Sequence, residues 1–164
     1  MALFGELMLC AAAVLSAAGF ALCLAASNRR HLIFAGRAVL LSAAGAGAAA
    51  LIALAFLMVV KDYRVADVRD YADDTMSLGY LIAAVWGGQQ GSLMLWAVLQ
   101  TFFTALFAAS LGKRETKSGP LALAMLGALG AFFLLLVLFE SDPFAPLGTD
   151  STSGVGLNPL LRNA

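Results

Sequence analysis

Charge is scarce in this chain of 164 residues, and what there is cancels: 10 Lys and Arg stand against 10 Asp and Glu. With no basic field there is no electrostatic footprint for nucleic acid. Histidine occurs once, at His31, and cysteine twice, at Cys10 and Cys23. No cluster of His, Cys, Asp or Glu has metal-ligand spacing, so no metal site is expected. The two cysteines share one apolar run and would stand about 20 Å apart on a helix, beyond disulfide reach. They read as small hydrophobes inside a span. The absence of Cys-x-x-Cys excludes a thioredoxin-like reductase and a haem-attachment substrate. The glycine patterns that cradle nucleotides are missing as well.

Apolar residues are abundant instead. They make up 62% of the chain, with 12% charged and a mean hydropathy of +0.90. A soluble domain of this size has no core large enough to hide that surface. The fold class expected is therefore an all-α membrane protein with four transmembrane helices.

The first span covers about residues 3–26 and is followed, not preceded, by Arg29 and Arg30. A signal peptide has positive charge first, so this segment reads as a retained anchor. His31 and Arg37 complete a short loop. The second span, about 39–60, carries small-residue seams at Ser42, Ala46 and Ala50 and at Ala43 and Gly47, suited to tight helix packing. The loop Lys61–Gly79 holds five acidic and three basic residues. Asp67, Asp70, Asp73 and Asp74 lack the EF-hand pattern and read as a solvated acidic face.

The third apolar region, 80–111, would be about 48 Å long as one helix, against a hydrocarbon core of about 30 Å. One end must project, tilt or break; a span near 91–111 leaves Trp86–Gln90 at the interface. Gln100 and Thr101 fall mid-span and are expected to bond a neighbouring helix. Lys113, Arg114 and Lys117 follow, and Pro120 suits the first turn of the fourth span, about 120–139. The positive-inside rule puts the first and third loops in the cytoplasm, leaving both termini and the acidic loop outside. Glu6 and Glu140 mark the outer edge. Residues 1–140 form the membrane domain, and 141–164, rich in Gly, Pro, Ser and Thr, form an extended external tail.

The most specific block is Trp86–Trp96, WGGQQGSLMLW. On a continuous helix Ala83, Gly87 and Gly91 would form one stripe, and Ala84, Gly88 and Ser92 the next. Two readings fit that flat face. It is a helix-packing surface with Gln89 and Gln90 as interhelical bonds, or a shelf for a flat apolar ligand walled by Trp86 and Trp96. No catalytic residue is identifiable.

WGGQQGSLMLW resembles the WGG-xx-GSLLLW signature of the CcmF family, the haem lyase subunit of bacterial cytochrome c maturation. The segment VKDYRVADVRDYADDTMSLGYLIAAVWGG is similar to the family's loop leading into Tyr and Ala-x-WGG. DPFAPLGTDSTSGVGLNPLL resembles its NPF…DGxxLNPLLQ segment, and Glu6 sits near a periplasmic N-terminus as in that family. The resemblance covers essentially the whole chain. It departs in three ways: the family is several times longer, Gln89-Gln90 stands where it often shows His-Glu, and its HPPLLY histidines and WWD segment have no counterpart here. His31 lies in the cytoplasmic loop and does not replace them.

The resemblance implies thioether attachment of haem to Cys-x-x-Cys-His of an apocytochrome on the periplasmic side of the bacterial cytoplasmic membrane. It implies haem b in an assembled complex, with ligands on a second CcmF-like chain, and a split form in which this chain is the N-terminal subunit. Leu157, Asn158, Pro159, Leu160 and Leu161 would contact that partner; a haem chaperone and an apocytochrome-handling subunit complete the assembly. The alternative is a non-catalytic scaffold subunit of another respiratory or transport complex.

Overall fold

A computed structural model describes residues 1–26, 30–111, 118–148 and 153–156. These residues form six helices: α1 (Ala2–Ala25), α2 (Arg30–Val60), α3 (Ala66–Tyr71), α4 (Leu78–Ala84), α5 (Gln89–Ser110) and α6 (Gly119–Glu140). Four of them, α1, α2, α5 and α6, are long and apolar enough to cross a membrane. No strand occurs among the described residues; one isolated antiparallel bridge joins Val65 to Pro146.

The four long helices pack in a ring, α1 on α2, α2 on α5, α5 on α6, and α6 back on α1. Small residues set how closely they approach. A Cβ added to Gly36 would lie 2.6 Å from the Cys23 sulfur, and one at Gly19 would lie 2.6 Å from the Leu40 side chain. On α2 the seam of Ala43 and Gly47 is buried; of the other, Ala50 is buried and Ala46 half-buried, whereas Ser42 faces outward and donates to the Ala38 carbonyl on its own helix. Thr101 and Thr104 are buried, yet they bond within α5, to the carbonyls of Val98 and Gln100. The Gln100 amide reaches Thr104. Gln100 and Thr101 are thus satisfied by their own helix, not by a neighbour as expected. A hydroxyl one turn from a free lone pair needs no second helix.

Two boundaries move relative to the sequence reading. α2 begins at Arg30, so His31 and Arg37 lie on its first two turns instead of in a loop. Its 31 residues make a rod of about 46 Å, long enough to carry those polar turns beyond a hydrocarbon core of about 30 Å. The region 80–111 is not one helix; it breaks between Ala84 and Gln89.

The end of the bundle formed by the start of α1, the end of α2, the start of α5 and the end of α6 is covered by a packed layer. Helices α3 and α4 lie in it, with the chain after α6 laid against them. Ala66 N–H donates to the Ala145 carbonyl and Leu147 N–H to the Arg64 carbonyl, while Val155 N–H donates to the Arg69 carbonyl. Phe144 is buried, its ring resting where a Cβ on Gly5 would stand. The described part of the tail is docked on the layer through these bonds. Apolar Val65, Val68 and Ala72 join the same core as Leu9, Leu57 and Met94. Their burial ties layer to bundle.

Candidate functional site

The WGG block is built on the break between α4 and α5. Past Ala84 the amides of Val85, Trp86 and Gly87 bond to the carbonyls of Ile82, Ala83 and Ala84 at 3.2, 3.2 and 3.0 Å. Each bond spans three residues, so the helix tightens as it ends. Adjacent glycines are poor helix formers and offer no side chain to resume the turn. Gly88 is extended, at φ −100° and ψ 170°, and its carbonyl accepts the Ser92 amide at 3.1 Å to open α5. The Ser92 hydroxyl donates to the Trp86 carbonyl at 2.7 Å, closing the turn. The stripes expected on a continuous helix, Ala83/Gly87/Gly91 and Ala84/Gly88/Ser92, therefore do not form.

Two of the glycines are demanded by close approach. A Cβ on Gly91 would collide with the Val85 carbonyl, and one on Gly88 would enter the Tyr71 ring, 2.6 Å from its Cζ. Both are filled from within the chain. Gly87 and Gln89 are exposed, and Gln90 is half-buried. Trp86 is 48% exposed at the turn and Trp96 67% exposed on the outer face of α5. The structure brings Trp86, Gly88, Gly91 and Ser92 together; Trp96 stands apart from that knot. Leu157, Asn158, Pro159, Leu160 and Leu161 lie outside the described residues, as do Arg29, Lys113, Arg114 and Lys117.

The charged residues of the layer divide sharply. Asp62 accepts two bonds from the Arg64 guanidinium at 2.8 Å, which hold its carboxyl below the usual range against the opposing effect of burial. The Tyr63 hydroxyl donates to Asp74 at 2.7 Å; burial first, and that bond second, push it up to about 12. Asp67 was expected in a solvated face and is instead 3% exposed. Neither of its oxygens has a hydrogen-bond partner. Burial, with a smaller contribution from Asp70, pushes its carboxyl up to about 7.

Tyr71, Asp67 and Phe144 were missed as parts of this site. Apolar Val65, Val68 and Ala72, spaced three and four apart, were the available signal that the acidic loop turns one face inward. Among the described residues no group of three His, Cys, Asp or Glu is placed to hold a metal ion. His31 stands near the start of α2, whose far end meets the layer. About 43 Å of helix lies between it and that far end.

No family model matches the chain. Curated relatives do. The probable cytochrome c-type biogenesis protein NrfE of Escherichia coli (strain K12) is 36% identical over 110 residues, covering 67% of this chain and 20% of the relative. The cytochrome c-type biogenesis protein CcmF of the same strain is 34% identical over 119 residues, 71% of this chain and 18% of the relative. A solved structure described as cytochrome c heme lyase CcmF superposes with a TM-score of 0.80 at 27% identity, over 91% of this chain and 25% of that one. The chain belongs to the CcmF family. It matches the N-terminal portion of those long proteins and spans about a fifth of the length of the curated relatives. Within this family chain, the WGG turn is the point where layer, bundle and exposed tryptophan meet.

Proposed function

We propose that this CcmF-family chain is the N-terminal membrane subunit of a split cytochrome c haem lyase, and that its layered end faces the periplasm across the bacterial cytoplasmic membrane. The observation that carries the reading is the agreement of fold with a heme lyase CcmF over 91% of the chain, with the signature block folded into a turn beneath exposed Trp86. The orientation is supported by Arg30 and Arg37 at the opposite end of the bundle, where the positive-inside rule wants them.

Haem is the group this family implies, and the described residues do not fit as its iron ligands. The only histidine in the sequence is His31, at the far end of α2, and the buried unpartnered polar atoms, on Asp67 and Arg69, lie inside the layer. In the split form proposed, the ligands come from a second CcmF-like polypeptide. This chain's own contribution is positional. The knot of Gly88, Gly91 and Ser92 fixes Trp86 at the membrane edge, where an exposed indole forms an apolar wall for a flat ligand or a partner helix. Trp96, on the outer face of α5, is a second exposed indole, and 157–161 are assigned to partner contact. Water exclusion and alignment are what thioether chemistry asks of such a wall. Apocytochrome c, a haem chaperone and an apocytochrome-handling subunit are the other partners.

The test is affinity purification of the chain from its native membrane, with intact mass and haem spectra of what accompanies it. A co-purifying chain that binds haem b, together with loss of holocytochrome c on deletion of this gene, is the expected outcome. Normal holocytochrome c in the deletion strain refutes the reading. A native product of several times this mass refutes the split while leaving the family assignment intact.

A further inference from the structure

We propose that Asp67 is a proton-operated latch: neutral, it holds the short helix α3 against the bundle, and ionised, it releases α3 and lifts the Tyr71 ring from the glycine turn at Gly88. The inference concerns the conformation of this chain alone and stands apart from the haem reading.

The geometry is unusual for a carboxylate. Asp67 is buried in a helix of six residues, and both its oxygens lack a donor. Placing an ionised carboxylate in such a position is far less favourable than placing a neutral one. Among the described residues no cation answers it. Arg69 reaches Asp70 at 3.5 Å, and its own Nε is buried without a partner. The charged groups of the surrounding segments are engaged with others. Asp62 holds Arg64, Lys61 donates to the Asp74 carbonyl, and Asp74 accepts from Tyr63. Asp73 accepts from Thr75, and Asp142, in the docked tail, accepts the Phe144 amide. Glu6 of α1 and Glu140 of α6 are exposed. Asp70, one turn on, adds repulsion.

The coupling to the turn is mechanical. Asp67 and Tyr71 are four residues apart on α3 and share one face, and the Tyr71 ring occupies the space a Gly88 side chain would need. Few bonds resist undocking: the described backbone links between α3 and the tail are Ala66 to Ala145 and Val155 to Arg69. With the carboxyl at about 7 when docked and an ordinary value of 3.8, linkage sets the sign. Docking is strongest below the lower value and weakens as pH rises through the upper one. The full swing in the opening equilibrium is on the order of a thousandfold.

Hydrogen exchange of the full chain in lipid nanodiscs, followed by mass spectrometry from pH 4.5 to 8.5 and corrected for intrinsic exchange rates, tests this. Opening of residues 66–72 is expected to rise about fiftyfold between pH 5 and 7 and to level off above. Asp67→Asn should be flat across the range. Asp70→Asn, which removes the repelling charge, should move the onset of the plateau to lower pH, and it keeps the test decisive should Asp67→Asn fail to fold. Trp86 emission in a Trp96→Phe background should follow the same curve. A flat profile in the unmodified chain, a slope retained in Asp67→Asn, or a plateau unmoved by Asp70→Asn overturns the latch.

Discussion

One methyl group on Gly91 is the sharpest probe of how the WGG turn is built. The Cβ of Gly91→Ala would fall on the Val85 carbonyl, with that group's carbon only 2.8 Å away. The obstacle is backbone, so no rotamer change relieves it; α5 must shift from the turn by on the order of an ångström. Overpacking of this kind costs about 1–3 kcal/mol. Displacing the turn also strains the Ser92–Trp86 hydrogen bond, a loss of about 1 kcal/mol. Against this, alanine is favoured over glycine inside a helix by up to about 1 kcal/mol. The net expectation is a destabilisation of about 1–3 kcal/mol, or roughly 5- to 160-fold in the folding equilibrium.

Gly45→Ala is the matched control. Gly45 lies on α2 with nothing within 4 Å of an added Cβ, so the same change should be neutral or stabilising by up to about 1 kcal/mol. Denaturant titration of both variants in one detergent measures the difference, and hydrogen exchange over residues 85–92 locates it. Equal midpoints, with unchanged protection across that turn, would refute the close-approach argument.

Four further outcomes follow from the same contacts. Gly88→Ala and Tyr71→Ala each destabilise the layer, and a double-mutant cycle should give a coupling of about 0.5–3 kcal/mol; additive effects would mean that the ring does not rest on the glycine. Phe144→Ala empties a buried site against Gly5 and should cost about 3–5 kcal/mol, with faster exchange at the Ala66 and Leu147 amides, which bond layer to tail. Asp67→Asn should raise the unfolding midpoint at pH 8, and the gain should vanish as the pH falls to 4, because the folded carboxyl titrates at about 7 and the unfolded one at about 3.9; the opposite trend would mean that the carboxylate is stabilised in place. Trp86→Ala should leave stability within about 0.5 kcal/mol and lower holocytochrome c yield at least tenfold, whereas Phe139→Ala, at an 80% exposed position, should leave yield unchanged.

The membrane helices were legible because length and apolarity leave few alternatives. Proline at the head of α6, the small seam on α2 and the over-long third region each pointed to a real feature of the bundle. What the sequence hid was the layer. Lys61–Gly79 has the composition of a solvated loop, and its inward face consists of three spaced apolar residues diluted by eight charges. Asp67 and Val68 are the buried residues of α3, and a carboxylate carries no apolar signal that would mark it as facing inward. The exact position of the break at Gly87-Gly88 was not given by periodicity, because glycine leaves no side chain to mark a face and the apolar run resumes at Leu93. His31 and Arg37 were assigned to a loop on polarity, although a helix that outruns the hydrocarbon can keep polar turns in its register.

The folded turn changes what a mutation in the signature block can be taken to mean. On a continuous helix, Gly88 and Gly91 would present a notch to another polypeptide, and a bulky Gly88→Leu would report on docking. In the structure those positions are occupied from within, by Tyr71 and by the Val85 carbonyl. Loss of partner on Gly88→Leu would therefore arise from a disrupted layer and would be accompanied by loss of stability. The exposed remainder of the block, Trp86, Gly87, Gln89 and Trp96, is the surface we propose for a partner. Substitutions there that sever association while the unfolding midpoint holds are the ones that separate an interface from a fold.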